Sequence, residues 1–192
     1  MVELSSRSLV DTPEVYRKVS YYFFSYPQAM IGLSDLALSI TASKTATREA
    51  ITTLVKEGLI IKTDVGKAWL LSVNQKSKFL VRNKIPYNLE MIYESDIIDR
   101  IYEKYPNANA IILFGSYRWG TDNENSDIDI AVEVTGAKKL LITELGIIKK
   151  FGYRKNVKVN IHFFSKNSTD INLLTNIYNG IVLDGLLEVP CD

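Results

Sequence analysis

Apolar positions in the first part of the chain recur at helical spacing, whereas in the second half they gather into short runs separated by turn residues. Val15, Val19, Tyr22 and Phe23 predict a helix from Pro13, with Thr12 as N-cap, Glu14 in the first turn and Pro27 beyond its end. Ser34 suits the N-cap of a short helix over 35–40, and Thr41-Ala42-Ser43 is a polar turn. A longer helix over 44–57 follows. Ala50, Ile51, Leu54 and Val55 form its apolar stripe, and Gly58 stands at the position after its C-cap. Residues 59–62 and 68–73 then predict two short strands joined by Thr63-Asp64-Val65-Gly66-Lys67.

Helix, short helix, turn, longer helix and small hairpin is the order of a winged helix-turn-helix, and residues 13–73 resemble that family in pattern. Lys44, Arg48, Thr52 and Lys56 recur every four residues on the outer side of the third helix, and the hairpin adds Lys62 and Lys67. Such helices enter the major groove, where cations meet phosphates and base edges. DNA is therefore an expected partner. A basic, solvated face on a small protein-binding module is the competing reading. The aromatic residues Tyr16, Tyr21, Tyr22, Phe23, Phe24 and Tyr26 read as packing or as a homodimer surface.

The middle of the chain predicts a helix over 76–83, a break at Ile85-Pro86 and a longer helix over 88–105 closed by Pro106-Asn107. Beyond it come a strand over 110–114, a loop or short helix over 116–125 and a strand over 127–134. A helix over 137–151, a strand over 157–164, a helix over 169–178 and an extended piece over 181–184 complete the series. Gly152 would stop the middle helix, with Lys149-Lys150 suiting its C-terminal dipole. Alternating strands and helices predict an α/β domain.

Composition adjusts this outline in three ways. The 192 residues carry a formal net charge of only +1, which selects no partner, but the charge is unevenly spread. Residues 1–84 hold 12 Lys/Arg against 7 Asp/Glu, and residues 85–192 hold 11 against 15. The sign change, at a polar junction, sets the expected boundary: a first domain over 1–84 and a second over 85–192. A single cysteine, Cys191, excludes an internal disulfide framework and fits an intracellular compartment. No basic, then apolar, leader and no apolar run of membrane length is read, so the expected location is cytoplasmic, without a membrane partner.

The candidate chemistry lies in residues 111–132. Ile111-Ile112-Leu113-Phe114 runs into Gly115-Ser116, and ten residues later Asp127-Ile128-Asp129 opens a second apolar run. Carboxylates two apart on a strand share a face, where their repulsion is relieved by a cation. The glycine lets backbone amides approach a ligand, and the serine adds a hydroxyl. The stretch thus reads as a phosphate-holding turn beside a paired-carboxylate metal site.

Gly-Ser, ten residues, then Asp-x-Asp on a strand, with Ser126 completing Ser-Asp-x-Asp, resembles the DNA polymerase β-like nucleotidyltransferases, in particular their minimal members, over about residues 97–187. The resemblance implies an α/β nucleotidyltransferase fold with a mixed sheet. It also implies transfer of a nucleoside monophosphate from an NTP, ATP being the expected nucleotide, assisted by two Mg²⁺ ions. Asp127 and Asp129 would be the catalytic metal ligands, and Gly115, Ser116 and Arg118 would hold the triphosphate. A surface salt bridge is the other reading of Arg118.

Two departures from the family pattern stand out. Trp119 occupies the position before Gly120 where members often carry arginine. Asn160 stands where the third carboxylate is expected on the next strand, with His162 two residues on. An amide oxygen can ligate a cation but brings no charge. A charge lost at 4 Å is worth on the order of 4 kcal/mol at an effective dielectric of about 20, an upper bound of roughly a thousandfold in rate. His162 has the intrinsic acidity of a substitute general base, and a half-buried strand histidine is the alternative.

Three functions follow as expectations. The first is an active Mg²⁺-dependent nucleotidyltransferase with a DNA-binding first domain. The second is a nucleotide-responsive DNA-binding regulator whose turnover is weakened at Asn160. The third, implied by the resemblance to minimal nucleotidyltransferases, is an antitoxin acting on a helical partner toxin.

Overall fold

The structure is a computed structural model that describes residues 12–135, 141–165 and 171–187. It divides into two compact units between Phe79 and Leu80. The expected change at 84/85 falls inside a helix, because Lys84 is buried within the second unit rather than standing in a solvated linker. Cys191 lies outside the described residues.

In the first unit, α1 (Glu14–Ser25), β1 (Met30–Gly32), α2 (Leu33–Ser39), α3 (Lys44–Lys56), β2 (Ile60–Val65) and β3 (Ala68–Val73) succeed one another. The strands form an antiparallel sheet in the order β1-β3-β2. This is a winged helix-turn-helix arrangement, with α3 in the recognition position and the β2–β3 hairpin as the wing. The Ser43 hydroxyl caps α3 by accepting from the Ala46 amide at 3.2 Å. Val19, Phe23, Leu36, Ile51, Leu54 and Leu71 fill the core. Tyr16 and Phe24 join the buried set, so half of the aromatic run is packing within this unit.

Two details of this unit differ from the sequence reading. Pro13 takes the N-cap of α1 instead of Thr12, and Gly32 that of α2 instead of Ser34. The three-residue β1 carries no periodicity of its own. It exists because Met30, Ile31 and Gly32 pair with Ser72, Leu71 and Leu70 of β3.

Helix α4 (Lys78–Tyr93) starts two residues before the boundary between the units and otherwise belongs to the second unit, with α5 (Ile97–Lys104), β4 (Ala108–Phe114), α6 (Gly115–Trp119), β5 (Ile128–Val134), β6 (Leu141–Phe151), β7 (Arg154–Phe164), α7 (Ile171–Tyr178) and β8 (Ile181–Gly185). The unit's five-stranded mixed sheet runs β6-β7-β5-β4-β8, with β5 and β7 parallel and the other pairs antiparallel.

Residues 141–151 are strand β6, not the end of a helix over 137–151; residues 136–140 lie outside the described part. The segment pairs along most of its length with β7, from Leu141↔Phe163 to Phe151↔Arg154. Gly152, at φ 58°, opens the two-residue turn between them, so it makes a hairpin instead of stopping a helix. Ile142, Thr143, Ile147 and Ile148 are β-branched and favour the pleat. Lys149 and Lys150 lie exposed on the sheet's edge strand, where charge discourages further pairing.

Helix α4 runs through Pro86, where the sequence predicts a break. Proline removes one helical hydrogen bond, but Lys84, Tyr87, Asn88 and Ile92 bury side chains on both sides of it, and that packing holds the helix together. The turn falls instead at residues 94–96, before α5.

The sheet is covered on both faces. Ile92, Ile97 and Ile101 of α4 and α5 pack on Ile111, Leu113, Ile128, Ile130, Val132, Val159 and Ile161. Ile177 of α7 packs on Ala110, Ile112, Phe114, Ala131 and Phe164 on the other face. Strand alternation therefore puts Asp127 and Asp129, in step with Ala131, on the α7 face, together with Asn160 and His162, in step with Phe164. Among the described residues no helix is long and apolar enough to cross a membrane.

Candidate active site

Asp129, Asn160 and His162 of two parallel strands meet on this face with Asp127, the residue just ahead of β5. Asp129 is level with Asn160 and Ala131 with His162, so each carboxylate faces diagonally the next inward residue of β7. The Asn160 amide nitrogen lies 3.5 Å from Asp127 Oδ2, and His162 Nε2 lies 3.1 Å from Asp129 Oδ1. The Asp129 side chain keeps 31% of its exposure and His162 only 13%. Phe114 closes the imidazole edge-on, with ring centres 4.9 Å apart.

The Gly115-Ser116 turn abuts the carboxylates. Phe114 pairs with Asp129 across β4 and β5, and the chain then turns directly into α6. Gly115 sits at φ 70°, and a Cβ there would lie 3.1 Å from Asp129 Oδ2. Both the backbone angle and the close approach require glycine. The Ser116 carbonyl accepts from the Thr121 amide at 3.0 Å, closing the first turn after α6. Arg118 is held by two contacts of its own. Its Nε donates to the Asn179 carbonyl at 2.6 Å, and its guanidinium lies 3.8 Å from the centre of the exposed Trp119 ring.

A buried polar cluster, with no local signal in the sequence, holds the loop between the turn and the carboxylates. Lys84 of α4 pairs with Asp122 at 3.1 Å, both almost fully buried. The Asn88 amide donates to Asp122 Oδ1 at 2.8 Å and to the Tyr117 carbonyl at 3.0 Å. Arg154, at the start of β7, donates to the carbonyls of Glu124 at 2.9 Å and Ser126 at 2.8 Å, and to the Tyr117 hydroxyl. Two cations and an amide thus clamp the backbone that delivers Asp127.

Burial pulls the Lys84 ammonium below its ordinary range and pushes the Asp122 carboxyl above its own, with their mutual attraction working against both shifts. Burial likewise raises the Tyr117 hydroxyl well above the usual phenol range, keeping it a neutral hydrogen-bonding group. In sequence Lys84 stands at the polar junction after a predicted helix and Asp122 in a loop or short helix; only their meeting gives them a role.

The donor set suits a hard divalent cation. Asp127, Asp129 and the Asn160 amide offer oxygen ligands, and Mg²⁺ is ordinarily held by one or two carboxylates together with substrate phosphates. Among the described residues, no three His, Cys, Asp or Glu side chains converge as a complete metal cage. Phosphate and water would complete the coordination. A separate cavity of about 650 Å³ opens by the α4–α5 turn, lined by Met91, Ile97, Arg100, Gly146, Ile148 and Val159. Ile97 and Val159 belong to the opposite face of the sheet, so the cavity is not the carboxylate site.

In the first unit, Lys44, Arg48, Thr52, Lys56 and Lys67 are all exposed. Arg48 lies over the Trp69 ring at 4.7 Å and Lys62 over the same ring at 4.8 Å, tying α3 to the wing. Lys62 also pairs with Asp64 at 2.9 Å. The Thr52 hydroxyl donates to the Arg48 carbonyl at 2.8 Å, leaving its oxygen as an acceptor.

On this mixed sheet a glycine turn is set against the carboxylates in a strand–turn–strand unit. Residues 96–184 match the family model described as "Polymerase beta, Nucleotidyltransferase", and the second unit carries a domain of that family. A 44-residue stretch is 46% identical to the protein adenylyltransferase MntA of Shewanella oneidensis. The match covers 23% of this chain and 32% of that relative, so it spans about a third of the relative's length. A solved structure, the adhesin competence repressor AdcR from Streptococcus pyogenes, aligns with 50% of this chain and 70% of its own at 16% identity and a TM-score of 0.36.

Proposed function

We propose that the protein transfers a nucleoside monophosphate, AMP from ATP, to a hydroxyl acceptor. The observation that carries this reading is the contact of Gly115 with Asp129: a turn able to hold phosphate lies directly against carboxylates able to hold its counter-ion. The adenylyltransferase named in the comparison supports ATP as donor and a protein as acceptor. Gly115 and Ser116 bind phosphate oxygens. Asp127 and Asp129 hold Mg²⁺, which, when bound, neutralises charge developing on the transferred and leaving phosphates. Arg154, Lys84 and Asn88 hold the 120–126 loop so that Asp127 keeps its place. Arg118, fixed by Asn179, borders the turn.

Labelled ATP incubated with the protein and Mg²⁺ tests the reading. AMP transfer that disappears in Asp129→Asn is expected. Absence of transfer to protein, RNA or small acceptors would overturn it.

Asn160 supports a second reading, a nucleotide-responsive DNA-binding regulator or an antitoxin with weakened turnover, because an uncharged amide stands 3.5 Å from Asp127 where the family pattern expects a carboxylate. The exposed Lys44, Arg48, Thr52, Lys56 and Lys67 would contact DNA. Salt-dependent duplex binding that weakens on Lys44→Ala and Lys56→Ala is expected. Binding indifferent to both changes would remove DNA from the account. Co-purification with a small helical protein that becomes adenylylated would favour the antitoxin form.

A further inference from the structure

We propose that Asp129 and His162 form a mixed carboxylate–imidazole pair that ligates a divalent transition ion, for which Mn²⁺ is the spectroscopic probe, so that this site takes such ions through nitrogen as well as oxygen. The inference deepens the nucleotidyltransferase reading, on which it rests for the presence of a cation, and it concerns the ligand set that this chain supplies.

Three observations converge on the pair. First, the separation fits. Adjacent ligands of an octahedral ion with bonds of about 2.1 Å stand about 3.0 Å apart, and His162 Nε2 lies 3.1 Å from Asp129 Oδ1. Second, the imidazole is held in place. It is largely buried, set edge-on against Phe114, and carried on a strand in fixed parallel register with the one bearing Asp129. Third, the ring's described polar contact runs through Nε2 toward Asp129, while Nδ1 is buried without a hydrogen-bond partner. Nε2 is thus the ring nitrogen that faces the carboxylate, and the one a cation shared with Asp129 would meet.

The neighbouring amide makes the imidazole matter more. With Asn160 uncharged, the oxygen donors on this face are two carboxylates and one carbonyl. Mg²⁺ binds through oxygen and loses water reluctantly, whereas imidazole nitrogen suits transition ions such as Zn²⁺, Fe²⁺ and Ni²⁺. A nitrogen donor in place of a third carboxylate therefore shifts the preference toward the latter.

The chain contains a single histidine, which makes a direct test available. Tag-free, full-length protein is loaded with Mn²⁺, alone and with a non-hydrolysable ATP analogue, and the pulsed electron-spin-echo spectrum is recorded. Imidazole ¹⁴N modulation is expected, and it can arise only from His162. In His162→Gln the modulation should vanish and Mn²⁺ affinity should fall about tenfold or more. Mg²⁺ affinity, measured by competition, should change less than about twofold. Asp129→Asn should weaken both ions.

Bound Mn²⁺ without ¹⁴N modulation, or no Mn²⁺ binding in either condition, overturns the proposal and leaves His162 as a hydrogen-bond partner of Asp129. The wild-type spectrum decides even if the variant fails to fold. Modulation without any AMP transfer would keep this site and remove the transfer reading. Transfer with Mg²⁺ and no modulation would do the reverse.

Discussion

Asp122 and Asp129 are carboxylates of the same unit, close in sequence, placed under opposite conditions. Asp122 is almost fully buried and is satisfied by Lys84 and Asn88, so its charge is consumed within the protein. Asp129 keeps about a third of its exposure and faces an imidazole, with a glycine turn beside it. One carboxylate fixes a loop; the other is left able to bind something that is not protein. The contrast shows how a site is built: the rigid, neutralised cluster holds the backbone so that the under-neutralised pair keeps its geometry. Desolvation dominates at the buried pair, since burial displaces Lys84 and Asp122 in opposite directions from their ordinary values, each toward its neutral form.

Breaking the buried side should have the largest effect on stability. Lys84→Met strands the Asp122 charge, and a loss of about 3–5 kcal/mol is expected from urea unfolding of the second unit. A loss below about 1 kcal/mol would mean that the pair is not the anchor described. At the other carboxylate the effect should move from stability to chemistry. Asp129→Asn should lower AMP transfer at least a hundredfold, equivalent to about 2.7 kcal/mol of barrier, with stability within about 0.5 kcal/mol of wild type.

Gly115→Ala touches the junction of the two. A side chain at positive φ costs about 1–2 kcal/mol, and its Cβ would crowd Asp129 Oδ2 at 3.1 Å. Thermal melting and ATP-analogue affinity should both drop. Asn160→Asp should raise the transfer rate about tenfold, or about 1.4 kcal/mol, at saturating metal. An unchanged or slower rate would show that the amide is no handicap. The smallest change is expected from the paired replacement Lys84→Met with Asp122→Leu, which removes both buried charges together and should stay within about 1.5 kcal/mol of wild type.

Much of this was legible along the chain, wherever the signal is local. Gly115-Ser116 and Asp127-x-Asp129 declare a turn and a shared strand face by spacing alone, because the pleat repeats every two residues. Residues 44–56 declare a helix with one apolar stripe and one basic face for the same kind of reason. The errors lie where local preference is weak or is overridden. Residues 141–151 carry apolar positions compatible with either period, and pairing with β7 decides for strand. Pro86 looks like a terminator until the burial of Lys84 and Asn88 outweighs the missing bond.

The sequence by itself determined the local features of this protein: a glycine–serine turn, two carboxylates on one face, an amide and a histidine on the next strand, and a basic helix. Tertiary structure alone decided which distant groups meet. It brought Lys84 to Asp122, Arg154 to the carbonyls before Asp127, and His162 to Asp129. The reason is physical. Strand and helix periodicities act over a few residues, whereas the partner of a buried charge is set by sheet order and register, which join segments tens of residues apart.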